Sequence, residues 1–238
     1  MLSITNASLM RGTTAVFAGL NLQLHEPRIG LIGDNGAGKS SLFRMACGLD
    51  APQSGTVTVQ GLPAYRINTQ RPNMVGMMFQ NPDDQIVFPT VQEELALALG
   101  LSRREAQEKA RDFLSGRGLQ DWAERAISSL SHGQRQHVCW LAILLSSPAL
   151  ILLDEPFASL DLPGQALLHA DMARVPQHII VSTHVLEHLS SFDRVIWLDK
   201  GQVRADGDPD TVCRLYRADV AARAARGPTR HLPHTLPT

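Results

Sequence analysis

The chain has 238 residues, 44% of them hydrophobic and 19% charged, which excludes both a disordered chain and a small scaffold held by disulfide staples and fits one large domain or two lobes sharing a core. Lys and Arg total 22 against 23 Asp and Glu, a formal net charge of -1, so no long-range field draws the chain to nucleic acid or anionic lipid and any anion it binds is gripped locally. The three cysteines, Cys47, Cys139 and Cys213, make no C-x-x-C pair and read as small buried hydrophobes, not as a disulfide or zinc framework.

In chain order, the opening MLSITNASLMRGTTAVF has no basic flank leading into a continuous apolar stretch, so it does not read as a secretory signal, and a cytoplasmic protein is expected. Alternating apolar and polar residues in LSITNASL and in TVTVQG predict antiparallel strands. RIGLIG (28–33), NMVGMMF (73–79), ALILLD (149–154) and HIIVST (178–183) are short apolar runs closed by turn signals, with helical stretches between them. That pattern predicts an α/β fold with a mainly parallel sheet. Between about Pro89 and Leu145 the pattern is helical; Thr90 with Glu93, and Ser102 with Glu105, fit capping boxes that start two helices. This block predicts a helical lobe, over about 81–145, inserted into the core. Its longest apolar run, Val138 to Leu145, is far short of the roughly 20 residues of a membrane span. RVIWLD and QVRADG, joined by a turn at Asp199-Lys200-Gly201-Gln202, predict a further antiparallel pair that joins the early strands in a side sheet. The closing GPTRHLPHTLPT predicts a mobile tail over 227–238, leaving 1–226 as a single domain.

Directly after RIGLIG stands Gly33-Asp34-Asn35-Gly36-Ala37-Gly38-Lys39-Ser40, which matches G-x-x-x-x-G-K-[ST] at every fixed position and is followed by Ser41. The glycines let successive backbone N–H groups converge on one anion, and the helix starting near Gly38 adds its positive end. Lys39 is placed to reach the β- and γ-phosphates of a nucleotide, and the Ser40 hydroxyl to hold Mg²⁺. Leu150-Ile151-Leu152-Leu153 then runs into Asp154-Glu155, two carboxylates at the end of a strand where open α/β sheets keep their ligands. Asp154 can orient the metal, and Glu155 can polarise the water that attacks the γ-phosphate.

Leu130-Ser131-His132-Gly133-Gln134 separates this chain from kinases and GTPases with the same phosphate loop. With it the sequence resembles the nucleotide-binding subunits of ABC transporters, whose signature is usually written LSGGQ, and the likeness runs to about Tyr216 with the motifs in the family's order. Ser131 and Gln134 also fit an S-x-x-Q capping box, so a helix end faces outward here. The resemblance implies that this end closes over the γ-phosphate held by a second subunit, so ATP becomes part of a dimer interface. His132 stands where the family has glycine. Gln80 matches the family's Q-loop residue, which contacts Mg²⁺ or the attacking water; His184 matches its switch histidine; Asp161, in Ser159-Leu160-Asp161, matches the loop that crosses the dimer interface. An aromatic residue for adenine is missing: alignment puts Arg11 there, with Phe17 further along, and Arg11 is either a guanidinium that stacks on the base or an exposed loop charge.

Phe79-Gln80-Asn81-Pro82-Asp83-Asp84-Gln85-Ile86-Val87 looks like the extended Q-loop segment of energy-coupling factor transporters. By that resemblance it lies beside a groove for helices of a transmembrane coupling protein, with Asp83 and Asp84 offering acceptors and Ile86 and Val87 an apolar edge. The run Val87-Phe88-Pro89-Thr90-Val91 and Phe157-Ala158-Ser159-Leu160-Asp161 are similar to the ATPases of biotin importers; cobalt and nickel importers have closely similar ones. The resemblance therefore implies a peripheral ATPase on the cytoplasmic face of a membrane, using ATP and Mg²⁺, pairing with a second copy or a paralogue, and partnered by the coupling protein and a cargo-binding membrane protein. A soluble ABC ATPase without a transporter fits less well, because such proteins usually carry two cassettes or a long coiled-coil insertion.

Overall fold

The computed structural model describes residues 1–225, so the predicted tail over 227–238 lies outside the described residues. Runs with apolar interiors and polar residues only at their ends become the central strands: β3 (Arg28–Ile32), β6 (Val75–Met78), β7 (Leu150–Asp154), β8 (His178–Ser182) and β9 (Arg194–Asp199), with β10 (Gln202–Gly207) at the edge. They form one sheet of order β10-β9-β3-β8-β7-β6, parallel except for β10. All five residues of β7 are buried, as a parallel strand covered on both faces requires. A second, antiparallel sheet of order β2-β1-β4-β5 contains β1 (Leu2–Arg11), β2 (Thr14–Leu24), β4 (Ser54–Val59) and β5 (Leu62–Pro63).

Helices complete the layers: α1 (Lys39–Ala46), the short α2 (Ile67–Gln70), α3 (Val91–Leu97), α4 (Arg103–Ser115), α5 (His132–Ser146), α6 (Leu162–Arg174) and α7 (Pro209–Ala225). Alternate residues of the central strands serve different cores. Leu150 and Leu152 pack with the antiparallel sheet and α1, whereas Ile151 and Leu153 pack with α5, α6 and α7. A third core joins Val91 and Leu95 of α3, Ala110 and Leu114 of α4, and Val138, Leu141 and Ala142 of α5. Because Cys139, Trp140 and Ile143 of the same helix face the central sheet, α5 is the rigid link between the helical block and the sheet. None of the described helices is long and apolar enough to cross a membrane. All three cysteines are free and buried, and burial pushes the thiols of Cys47 and Cys139 up to about 12.

Two expectations need correction, and one strand is added to them. RVIWLD and QVRADG pair through the predicted turn, with Lys200 and Gly201 both left-handed at φ 48 and 75. They do not join the side sheet, because Val195–Leu198 is buried on both faces and β9 pairs in parallel with β3. β2 was not anticipated, although Leu20, Leu22 and Leu24 alternate with Asn21 and Gln23. The helices do start after Thr90 and Ser102, but neither hydroxyl accepts from a backbone N–H. Each donates directly to the acid three residues on, Thr90 to Glu93 at 2.8 Å and Ser102 to Glu105 at 2.7 Å, a side-chain pair in place of the reciprocal box.

Candidate active site

The loop from Gly33 to Gly38 joins the end of β3 to the first turn of α1. Gly33 has φ 146, and a Cβ there would stand 2.1 Å from the carbonyl oxygen of Leu198; at Gly38, φ 110, it would stand 2.7 Å from the Phe17 ring. Both positions demand glycine for backbone conformation and for space. No side chain caps α1, so its first N–H groups remain open to an anion. Lys39 is only 7% exposed, and its Nζ donates to the carbonyls of Gly33 at 2.7 Å and Asp34 at 3.3 Å. Burial lowers its pKa, against the pull of Glu155, Asp154 and Asp34.

The two acids at the end of β7 are fixed by β8. Asp154 is in register with Ser182, whose hydroxyl donates to Asp154 Oδ1 at 2.5 Å and accepts from the Glu155 amide at 3.2 Å. Glu155 leaves the strand in a left-handed conformation, φ 50, its amide also donating to the Ser182 carbonyl at 3.0 Å. Its carboxylate then meets His184: Oε1 lies 3.0 Å from Nε2, and Oε2 accepts from the His184 amide at 3.2 Å. Ser182 is the site residue that sequence reasoning missed. Its signal was the first hydroxyl, followed directly by Thr183, at the end of the apolar run HIIVST, just before a predicted turn.

Asn35, Gly36, Gly38, Lys39, Ser40, Ser41, Gln80, Asp154, Glu155 and His184 line one cleft of about 320 Å³, together with Arg11 and Val16. Arg11 is paired with Asp50, which also binds Arg44; Phe17 is buried against Gly38 and is not a cleft residue. Gly33 and Ala37 shape the loop from behind, the Ala37 amide donating a hydrogen bond to the Asp34 carbonyl at 3.1 Å. The Asp34 side chain turns away from the cleft toward α7. The cleft offers hard oxygen donors, the Ser40 hydroxyl, the Gln80 carboxamide and the Asp154 carboxylate, which is the donor set that Mg²⁺ prefers.

The predicted signature lies elsewhere in the chain. Ser131 caps α5 as expected: its hydroxyl accepts from the Gln134 amide at 3.2 Å and the Gln134 side chain accepts from the Ser131 amide at 3.0 Å. Ser131, His132, Gly133 and Gln134 line a second cleft, of about 720 Å³, shared with Ser159, Leu160 and Asp161. His132 has a buried Nδ1 with no partner among the described residues. Asp161 caps α6 by accepting from the Gly164 amide at 3.0 Å. Asp83, predicted to face a partner, lies with its Oδ1 2.8 Å from Nε of Arg135; Asp84 is exposed and makes no side-chain hydrogen bond among the described residues. Ile86 packs inward against the cores, so the apolar edge is instead Val87, 74% exposed, beside a groove of about 430 Å³ lined by Phe88, Leu97 and Leu101.

The profile of the ABC transporter family matches residues 17–158. The chain is 43% identical over 229 residues to the biotin transport ATP-binding protein BioM of Rhodobacter capsulatus, covering 95% of this chain and 98% of that one. It is 36% identical over 214 residues to the energy-coupling factor transporter ATP-binding protein EcfA of Methanoculleus marisnigri, covering 86% of this chain and 77% of the relative. Among solved structures, cbiO1 of Clostridium perfringens, part of the ABC transporter complex cbiONQ, matches with a TM-score of 0.74 at 26% identity, covering 94% and 96% of the two chains.

Proposed function

This chain belongs to the ABC transporter family as an ATPase subunit of the energy-coupling factor type, and on that premise we propose that the cargo it powers is biotin. The cargo assignment rests on identity to a biotin transport ATP-binding protein across nearly the full length of both chains. The catalytic reading rests on one observation: phosphate loop, strand-end acids, Gln80 and His184 converge on a single cleft, while the capped signature helix opens into another.

In this reading the open N–H groups of the loop and of α1 hold the phosphates of ATP, and Lys39 moves from its own loop carbonyls onto the β- and γ-phosphates. Ser40, Gln80 and Asp154 would hold Mg²⁺, which would supply neutralisation of the phosphate charge. Glu155 takes the proton of the attacking water, and His184, fixed by that carboxylate through ring and amide, contacts the γ-phosphate. Arg11 stands at the mouth, where the base enters. A second copy or paralogue supplies Ser131, His132, Gly133 and Gln134 across an interface that Asp161 borders. Asp84, Val87 and the groove beside Phe88 receive the transmembrane coupling protein, which holds the subunit at the cytoplasmic face of the membrane.

The test is to purify the chain with its membrane partners and to identify the ligand retained by the cargo-binding protein. Retained biotin, released or transported only with ATP hydrolysis, is the expected result. Retention of cobalt or nickel, with no affinity for biotin, overturns the cargo assignment.

A further inference from the structure

The last described helix reaches back to the phosphate loop. Arg223 of α7 clasps both oxygens of Asp34, Nη1 on Oδ2 at 2.5 Å and Nη2 on Oδ1 at 3.1 Å, and the Tyr216 hydroxyl donates to Oδ1 at 2.9 Å. These donors are themselves fixed. Arg223 Nε lies 2.8 Å from Asp219 Oδ2, and Asp219 Oδ1 accepts from Arg204 at 2.7 Å. Arg204 also pairs with Asp199 at 3.1 Å and lies 4.4 Å over the Trp197 ring, whose edge meets Tyr216. A row of alternating charges thus ties the β9–β10 hairpin and α7 to the residue that follows Gly33.

We propose that Arg223 and Tyr216 are positioning residues for nucleotide binding: they hold the Asp34 carboxylate, and with it the first turn of the phosphate loop, turned away from the incoming triphosphate. The inference rests on the ATPase reading above. Asp34 is the one acid between Gly33 and Ser41, and its own carbonyl takes part in holding Lys39 and the Ala37 amide. A free carboxylate on this loop repels a polyanion bound to it, since ordinary buffers screen exposed charges only over roughly 8 to 10 Å. A bidentate guanidinium cancels that charge and fixes its direction. Burial and the neighbouring Asp34 push the Tyr216 phenol up to about 12, so it remains a donor at neutral pH. Both Arg223 and Asp34 are nearly half-exposed, at 45% and 43%, so the pair contributes little to the fold itself. Its consequence falls on the ligand.

The experiment measures ATP affinity and steady-state hydrolysis of the full chain for wild type, Arg223→Ala, Tyr216→Phe, Asp34→Asn and the Asp34→Asn/Arg223→Ala double variant. Arg217→Ala is the control, an arginine on the same helix that pairs with Glu187 away from the loop. Arg223→Ala is expected to raise KM for ATP about three- to fivefold at low salt, the scale of one exposed charge pair, with kcat within about twofold. Tyr216→Phe raises it less, Arg223→Lys restores part of the loss, and high salt shrinks the difference. In the Asp34→Asn background the Arg223 substitution adds nothing, which a purely structural role for α7 does not predict. An unchanged KM in Arg223→Ala, or an equal rise with and without the Asp34 carboxylate, overturns the proposal. A wild-type chain that neither binds ATP nor releases phosphate overturns the ATPase reading itself, and the inference with it.

Discussion

Glu155→Gln tests the assignment of the water-activating group with little disturbance around it. The side chain is 11% exposed, and glutamine has its shape. Its carboxamide oxygen can still accept from the His184 amide while its N–H₂ faces the ring nitrogen. The left-handed backbone at φ 50 costs about 1–2 kcal/mol in either variant, so it cancels in the comparison, and folding stability should shift by less than about 1 kcal/mol. What disappears is the ability to take a proton. A positioned general base contributes on the order of 10²- to 10⁴-fold, or about 3–5 kcal/mol of barrier. Phosphate release at saturating ATP and Mg²⁺ should therefore fall at least about 100-fold, with ATP affinity and melting temperature kept. Size-exclusion chromatography in ATP should then show accumulated dimer, since the γ-phosphate persists. A folded Glu155→Gln protein hydrolysing within tenfold of wild type would refute the assignment.

Gly33→Ala drives a Cβ against the Leu198 carbonyl at 2.1 Å; neither strand can yield, so a loss of about 3 kcal/mol or more is expected, read as a lowered denaturation midpoint together with lost nucleotide binding. Ser182→Ala removes the hydroxyl donor from Asp154, a bond to a charged group worth about 1.5–3 kcal/mol. Thermal melting should drop by several degrees, and an unshifted transition contradicts the role given to Ser182. Arg44, followed by Arg11, holds the Asp50 carboxyl below its usual range. Its folded pKa thus lies below the unfolded one, so its stabilisation is complete above the ordinary carboxylate range and drains as pH falls through the folded value. Asp50→Asn should lower the urea midpoint at neutral pH and converge on wild type in strong acid; a pH-independent difference rules out the ion pair as cause.

Features fixed by spacing were legible. The loop from Gly33 to Ser40 needs glycines at set intervals because its backbone takes positive φ at Gly33, Gly36 and Gly38, a local requirement that shows in the residue pattern itself. The Ser131–Gln134 box was readable for the same reason: both partners lie within one turn of helix. What escaped depends on residues distant in sequence. β9 was assigned to the wrong sheet because its hairpin with β10 is local, whereas its pairing with β3 spans the chain. Ser182 carries no motif and acquires its role only by standing in register with Asp154. The pairing of Asp83, read as an acceptor for a partner, with Arg135 joins residues 52 apart in sequence and leaves no local signal. Thr90 and Ser102 had capping-box spacing, but the rotamer decided that the hydroxyl donates to the acid instead of accepting from the backbone.

The separation of the two clefts has an energetic consequence for the proposed cycle. Ligand held by one chain alone meets the phosphate loop but not a capped signature end, because Ser131 and its neighbours open beside Asp161 of their own chain and not beside Lys39. Only a paired state offers the γ-phosphate both sets of donors, so ATP favours pairing by the difference between those contacts, and its hydrolysis removes that difference. The Asp83–Arg135 contact places this bias next to the segment proposed to meet the coupling protein: the segment after Gln80 and the first turn of α5 are bound to one another. A shift of the signature helix toward a second nucleotide therefore either carries Asp83, and the exposed Val87 beyond it, along or breaks the pair. The route proposed for that motion to the groove beside Phe88 is α5, which packs on α3 and α4 through one face and on the central sheet through another.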